Sequence, residues 1–204
     1  MPPRPDVSEE RRAQIIEAAL ACFTRKGYAN TTMDDIVAES GLSKGAIYWY
    51  FKSKDDVFQA AFTSMFEAVG TESIMALQVC ETAAERLRVG ARTMVSLARD
   101  IEGYFALIVE FWAQSENRDE VMGFWAEMLT QYQQAIAAIF EGGIQSGEFR
   151  EVDTGALAWM IMTAYDGLAA YDMMVPNLDM DKISETFIET LLKGLMVDGE
   201  SESE

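Results

Sequence analysis

Histidine is absent from all 204 residues. That one absence removes the commonest general base, the commonest pH switch and the commonest nitrogen ligand for metals. A His-dependent catalytic triad and a His-ligated zinc site are excluded. Cysteine is nearly absent too. Cys22 and Cys80 lie far apart without C-x-x-C spacing, so neither a disulfide framework nor a thiolate metal site is implied, and free thiols in a reducing cytoplasm are expected. Proline occurs only at positions 2, 3, 5 and 176, which leaves nothing to interrupt long helices before Val175. Uncharged apolar runs such as Leu157 to Tyr165 fall well short of the ~18 residues of a membrane span, and the opening MPPRPDVSEERR has no apolar signal region. A cytoplasmic location with no membrane partner is expected. Phosphate loops and dinucleotide fingerprints are also missing, and the glycines of GGIQSG at 142–147 sit at a helix end with no preceding strand. Asp119 and Glu120 are adjacent on a helix and point different ways, so no acid–base pair is built there. No enzymatic activity, metal or cofactor is expected.

Positive charge is scarce: 16 Lys and Arg stand against 34 Asp and Glu, a formal net charge of −18. Taken whole, such a chain should repel nucleic acid and anionic membranes. The charge is unevenly placed, however. Residues 1–54 carry 8 basic and 7 acidic side chains, a net of +1, and residues 55–204 carry 8 and 27, a net of −19. Between Ser40 and Lys54 there are three lysines (Lys44, Lys52, Lys54) and no acid. The acidic average therefore conceals a small basic face.

What is present is helical. Half of the residues are hydrophobic and 25% are charged, as in a folded globular protein. From Ser8 onward, Ile16, Ala19, Leu20 and Phe23 follow helical spacing until Gly27. A short second helix starts at Thr31-Thr32 and stops at Gly41, Ser43 caps a third (KGAIYWYF), and Ser53 caps a fourth. Longer helices are expected over 82–99, 101–115, 118–141, 153–174 and 179–196, giving an all-α chain of about nine helices. The predicted organisation is a flexible tail (1–8), a three-helix domain (9–54, with the fourth helix contributing to 62), a larger helical domain (55–197) and a disordered acidic tail (198–204).

The two short helices joined by Ser-Gly-Leu form a helix-turn-helix candidate. Gly41 supplies the positive φ that a sharp turn needs, and Ile36, Val37, Leu42, Ile47 and Phe51 can pack the pair together. With Ile47 and Phe51 inward, Lys44, Gly45, Ala46, Tyr48, Trp49 and Tyr50 are left wholly or partly outward. Aromatic side chains exposed beside lysines suit a DNA surface. Lys44 can meet a base edge or phosphate, Gly45 and Ala46 allow close approach, and the aromatic tips reach phosphate and sugar.

The run TTMDDIVAESGLSKGAIYWYFKSKDDVFQAAF, preceded by Phe23, Lys26, Gly27 and Tyr28 in F-x-x-K-G-Y, resembles the DNA-binding domain of TetR-type bacterial regulators. The resemblance covers roughly residues 9 to 62. It implies DNA contacts by Thr31 or Thr32, Ser43, Lys44, Gly45, Tyr48, Trp49, Tyr50 and Lys54, the last on phosphate. Tyr50 stands where many members of that family have histidine, and Trp49 occupies a variable position expected to influence operator choice. The rest of the chain is similar to the family's ligand-binding and dimerisation domain only in plan.

That plan leaves two sets of residues to place. Segments 105–113, 121–129 and 157–165 are rich in aromatics and methionine, and Phe105, Phe111, Trp112, Trp125, Met128, Trp159 and Met162 can line an apolar effector pocket or serve simply as core. Glu110 and Asp166 interrupt these segments as carboxylates facing a cationic lipophile, or as solvated or ion-paired groups. The helix from Asp153 is apolar nearly all round. Leu157, Met160, Ile161, Ala164 and Leu168, with Ile188, Leu191, Leu192 and Leu195 of the last helix, suit a two-fold four-helix interface or the centre of one core. The leading expectation is a homodimeric repressor that a small hydrophobic effector releases from a palindromic operator in double-stranded DNA. The alternative is a helical protein-binding adaptor that does not bind DNA.

Overall fold

The computed structural model describes residues 7–100, 104–115 and 118–197. Among them are nine helices: α1 (Val7–Asn30), α2 (Met33–Ser40), α3 (Lys44–Tyr50), α4 (Lys54–Gln78), α5 (Ala83–Asp100), α6 (Tyr104–Gln114), α7 (Arg118–Gln145), α8 (Thr154–Asp172) and α9 (Met180–Leu195). The fold is all-α, as the proline distribution and apolar spacing predict, and the described residues contain no strand beyond an isolated bridge between Phe149 and Met196. The predicted tail at 198–204 and most of that at 1–8 lie outside the described residues, while Val7 and Ser8 already belong to α1.

Local chemistry sets the helix ends. Thr32 caps α2 in a reciprocal box: its hydroxyl accepts from the Asp35 N–H at 3.2 Å, and the Asp35 carboxylate accepts from the Thr32 N–H at 2.9 Å. Ser43 caps α3 and Ser53 caps α4 through the N–H groups of Ala46 and Asp56, at 3.2 and 3.1 Å. Asp153 and Asp179 do the same for α8 and α9. Gly41 stops α2 in the left-handed conformation at φ 67°. Gly27, expected to end α1, instead kinks it at φ 77° and ψ 168°, and one further turn follows.

The chain divides into two compact units, Met1–Gly70 with Ile101–Arg118, and Thr71–Asp100 with Asp119–Glu204. The first departs from the boundary expected near residue 54, because α6 packs on α1. Aromatic packing fixes this arrangement. Phe111 of α6 is fully buried, stacks on Phe58 at 4.3 Å and meets Tyr28 edge-on at 5.1 Å, while Phe23 contacts both Tyr28 and Phe58. Ile15, Ala19, Ile36, Ile47, Val57 and Phe62 complete this core.

The second unit buries Ala84, Leu87, Ala91 and Val95 of α5 with Phe140, Ile161, Tyr165, Ile188, Leu192 and Leu195. A clasp formed by the α7–α8 connection joins three of its helix ends. Glu148 accepts from the Ala83 and Ala84 N–H groups at 2.7 and 2.9 Å, capping α5, and the Arg150 N–H donates to the Leu195 carbonyl at 2.9 Å. Arg88 forks onto Glu189 at 2.6 and 2.9 Å. Gly143 leaves room for the Phe149 ring: a Cβ there would lie 2.2 Å from Phe149 Cδ2 and 2.9 Å from the Ala83 Cβ. Gly143→Ala should therefore lower the thermal midpoint, because overpacking of about 1–3 kcal/mol exceeds the gain in helix propensity of about 1 kcal/mol. Thermal unfolding followed by circular dichroism checks this, and an unchanged or raised midpoint would contradict it.

Candidate nucleic-acid interface

A seven-residue helix does not persist alone in water, so the orientation of α3 depends on what it buries. Ile47 is fully buried and Phe51 is 4% exposed, beneath the Arg12 guanidinium at 5.5 Å. Their burial turns the opposite face outward. Trp49 is 68% exposed, Tyr48, Lys44 and Gly45 are exposed, and Ala46 and Tyr50 are half-buried. The Trp49 and Tyr50 rings meet edge-on at 4.6 Å. Together with Arg11, Gly41, Leu42, Ser43 and Ala46 they line a shallow hollow at the turn. Thr32 and Ser43 are exposed caps on the same turn-and-helix segment.

Two expected contacts fall elsewhere. Thr31 is buried, and its hydroxyl donates to the Gly27 carbonyl at 2.7 Å and to that of Cys22 at 3.3 Å, so it braces α1 and has no surface to offer DNA. Lys54, expected on phosphate, is half-buried. Its ammonium lies 4.1 Å from the Tyr28 ring centroid and donates to the Tyr28 carbonyl at 2.8 Å. Burial pushes its pKa down against the opposing pull of Asp55 and Glu110. Lys52, which the sequence places on the basic face, is exposed and donates to the Tyr48 carbonyl at 3.2 Å, and the basic residue that sequence reasoning missed is Arg11, which lines the hollow. Arg11 escaped notice because it is brought to the turn only by the packing of α1.

Most other cations of the head are already engaged. Arg25 pairs with Glu39 at 2.7 Å, Lys26 with Asp35 at 2.6 Å and Lys44 with Asp34 at 2.6 Å. The hydrogen bond from Lys26, followed by those from Thr32, holds the Asp35 carboxyl at about 2, below its ordinary 3.8.

The candidate effector residues are divided between the two units. Glu110 is turned toward α1, where Oε2 accepts from the Ala29 N–H at 3.1 Å, and the carboxylate occupies the space that a side chain at Gly27 would need. Phe111 is core of the first unit, Trp112 is half-buried there, and the Phe105 side chain lies outside the described residues. In the second unit Trp125 is buried, Met128 and Met162 are half-buried, and Trp159 is exposed. Asp166 is reached by solvent, yet the surrounding protein still raises its pKa. Of the candidate dimer residues, Ile161, Ile188, Leu192 and Leu195 are buried in the chain's own core, and Leu157, Leu168 and Leu191 pack against that core. Met160 and Ala164 are exposed. One side of the apolar stripe is consumed internally.

The model of the tetR family of bacterial regulatory proteins matches residues 15–61, and that of the C-terminal region of BetI-type transcriptional repressors matches residues 83–193, more than half of the chain. The chain belongs to the TetR family. Among its relatives, the uncharacterised HTH-type transcriptional regulator YfiR of Bacillus subtilis is 28% identical over 167 residues, 78% of each chain. A TetR-family regulator from Cytophaga hutchinsonii superposes with a TM-score of 0.79 at 25% identity, over 95% of this chain and 98% of that one. The regulator FadR of Bacillus subtilis, solved with stearoyl-CoA, superposes with a TM-score of 0.73 at 26% identity, over 89% and 98%. As a TetR-family member the chain is a DNA-binding transcriptional regulator, and α2, the Gly41 turn and α3 are its helix-turn-helix.

Lys52, in the α3–α4 connection, and Lys54, the first residue of α4, should separate in their effects. Lys52→Ala should reduce the slope of log affinity against log salt by ~1 per reading head. Lys54→Ala should chiefly lower the thermal midpoint, by the loss of a hydrogen bond and a cation–π contact worth about 1–2 kcal/mol. Salt titration of DNA binding alongside thermal melts distinguishes them, and a slope reduced only by Lys54→Ala would reverse the assignment.

Proposed function

We propose that the protein is a homodimeric repressor that binds a palindromic operator through α3 of each subunit and is released by a small hydrophobic effector. The observation that carries this reading is the outward face of α3, with Lys44, Tyr48 and Trp49 presented to solvent over a fixed Ile47–Phe51 base. A helix held this way is suited to the major groove, with its N-terminal residues toward base edges.

Dimerisation is supported by the apolar side chains that α8 leaves uncovered. Met160 is 59% exposed, Tyr171 62% and Trp159 42%, with Ala164 on the same helix and Ile183 of α9 also exposed. A cluster of this kind marks an interaction surface more than scattered single exposures do. Two-fold pairing would supply two reading heads, about 34–36 Å or somewhat more apart along the duplex. Met160→Glu should therefore convert a dimer to a monomer in sedimentation velocity while preserving helical content, and should weaken operator binding by at least an order of magnitude. A dimer that survived Met160→Glu and Trp159→Glu together would move the interface elsewhere.

An effector acts by linkage: a compound that prefers the conformation with poor operator affinity shifts the protein toward it, by a coupling of typically ~1–3 kcal/mol. The net charge of −19 over residues 55–204 favours a neutral or cationic lipophile over a polyanionic thioester such as the stearoyl-CoA bound by Bacillus subtilis FadR. Selection from a random duplex pool identifies the operator, and gel shifts on the DNA upstream of the gene test repression at its own promoter. Adding neutral lipophiles, cationic lipophiles and long-chain acyl-CoA in turn should show release by one of the first two classes. The same compound should bind less tightly to the operator complex, by the same factor. Release by acyl-CoA alone would overturn the charge argument, and an inducer whose affinity ignored bound operator would overturn linkage.

A further inference from the structure

Asp34 is an exposed acid beside the candidate reading helix, where a carboxylate would oppose phosphate. Its neighbour Asp35 is engaged internally, held by the α2 capping box and by Lys26. Asp34 reaches the other way. Its Oδ1 lies 2.6 Å from the Lys44 ammonium, and the two side chains are 72% and 59% exposed. The contact ties the first turn of α2 to the first residue of α3, immediately after the Ser43 cap. It also favours the charged form of Lys44, since Asp34 raises that ammonium's pKa.

We propose that Asp34 is a specificity-determining residue: it occupies Lys44 until the duplex offers an acceptor that can replace it. This rests on α3 being the DNA-reading helix. An exposed ion pair is weak and exchanges readily, so it does not lock Lys44 away from DNA. Its effect is differential. On a random duplex Lys44 exchanges a carboxylate for a phosphate at similar distance, while the released Asp34 carboxylate is left facing phosphates, so the pair as a whole contributes little to counterion release. At a G·C pair correctly placed in the major groove, the O6 and N7 atoms of guanine accept from Lys44, and the N4 amine of cytosine gives Asp34 a donor. The pair then exchanges one contact for two. Discrimination comes from penalising the wrong partner as much as from attracting the right one.

The head's scarcity of uncommitted cations gives this device weight. Arg25 and Lys26 are paired with carboxylates, Arg12 lies over Phe51 and Lys54 is turned onto Tyr28. With Arg11 and Lys52, Lys44 is therefore one of few cations that the described head can present, and Asp34 controls it.

The test is a double-mutant cycle of Asp34→Asn and Lys44→Met in the full chain, read as affinity for a random duplex, affinity for the selected operator and salt slope for each. Asp34→Asn should bind random duplex about threefold or more tighter and steepen the salt slope by ~1 per reading head, with a smaller or opposite change on the operator. In the Lys44→Met background Asp34→Asn should lose most of that effect. An equal gain on both duplexes, or a gain that persists without Lys44, would reduce Asp34 to a general negative charge and overturn the proposal. So would an unchanged random-duplex affinity. Absence of DNA binding by the wild-type chain would instead bring down the reading on which the proposal rests.

Discussion

The burial of Ile47 and Phe51 is the constraint on which the reading head depends. α3 has too few residues to be a stable helix in isolation, and its direction is set by those two side chains on one side and by the left-handed turn at Gly41 on the other. Ile36 of α2 and Ile15, Ala19 and Phe23 of α1 supply fully or almost fully buried neighbours in the same unit. Once that face is inward, Lys44, Tyr48 and Trp49 have nowhere to go but out. The same aromatic core extends through Phe58 to Phe111 of α6, so the head is larger than a three-helix domain and carries α6 with it.

Electrostatics is the second constraint. The net negative charge of the chain lies beyond residue 54, yet near-neutrality of the head does not make it a basic surface. Its cations are largely matched by carboxylates or aromatic rings within hydrogen-bonding or cation–π distance. A head of this kind cannot rely on counterion release for tight, indiscriminate binding. Its affinity depends more on shape and directed contacts, which the proposed dimer would make with both heads. The acidic body and the paired head act in the same direction, and both disfavour random DNA.

Helices, caps and the turn were legible in the sequence because they are local. Ser43 and Ser53, read as caps, cap in the structure, and an S-G-L turn between apolar periodicities has one simple reading. The misplaced residues failed for a shared reason: their roles depend on partners distant in sequence. Glu110 reads from sequence either as a carboxylate facing a cationic lipophile or as a solvated or ion-paired group, and its partner in the structure is the Ala29 N–H, 81 residues away. Lys54 looked like a phosphate ligand, but Tyr28 takes its ammonium. Ile161, Ile188, Leu192 and Leu195 carry the same apolar signature whether they face a second subunit or their own core, and only the packing of α5 decides between these. Thr31 and Thr32 are chemically alike and adjacent, and the fold buries one and exposes the other.

The account's central claim is that two copies of α3 read one duplex from the same side. A hydroxyl-radical footprint on the selected operator tests it most directly. The account predicts two protected segments related by the operator's dyad, on one face of the duplex and about one helical turn or slightly more apart. A single protected segment without symmetry, or no protection on any duplex that survives competition, would contradict it.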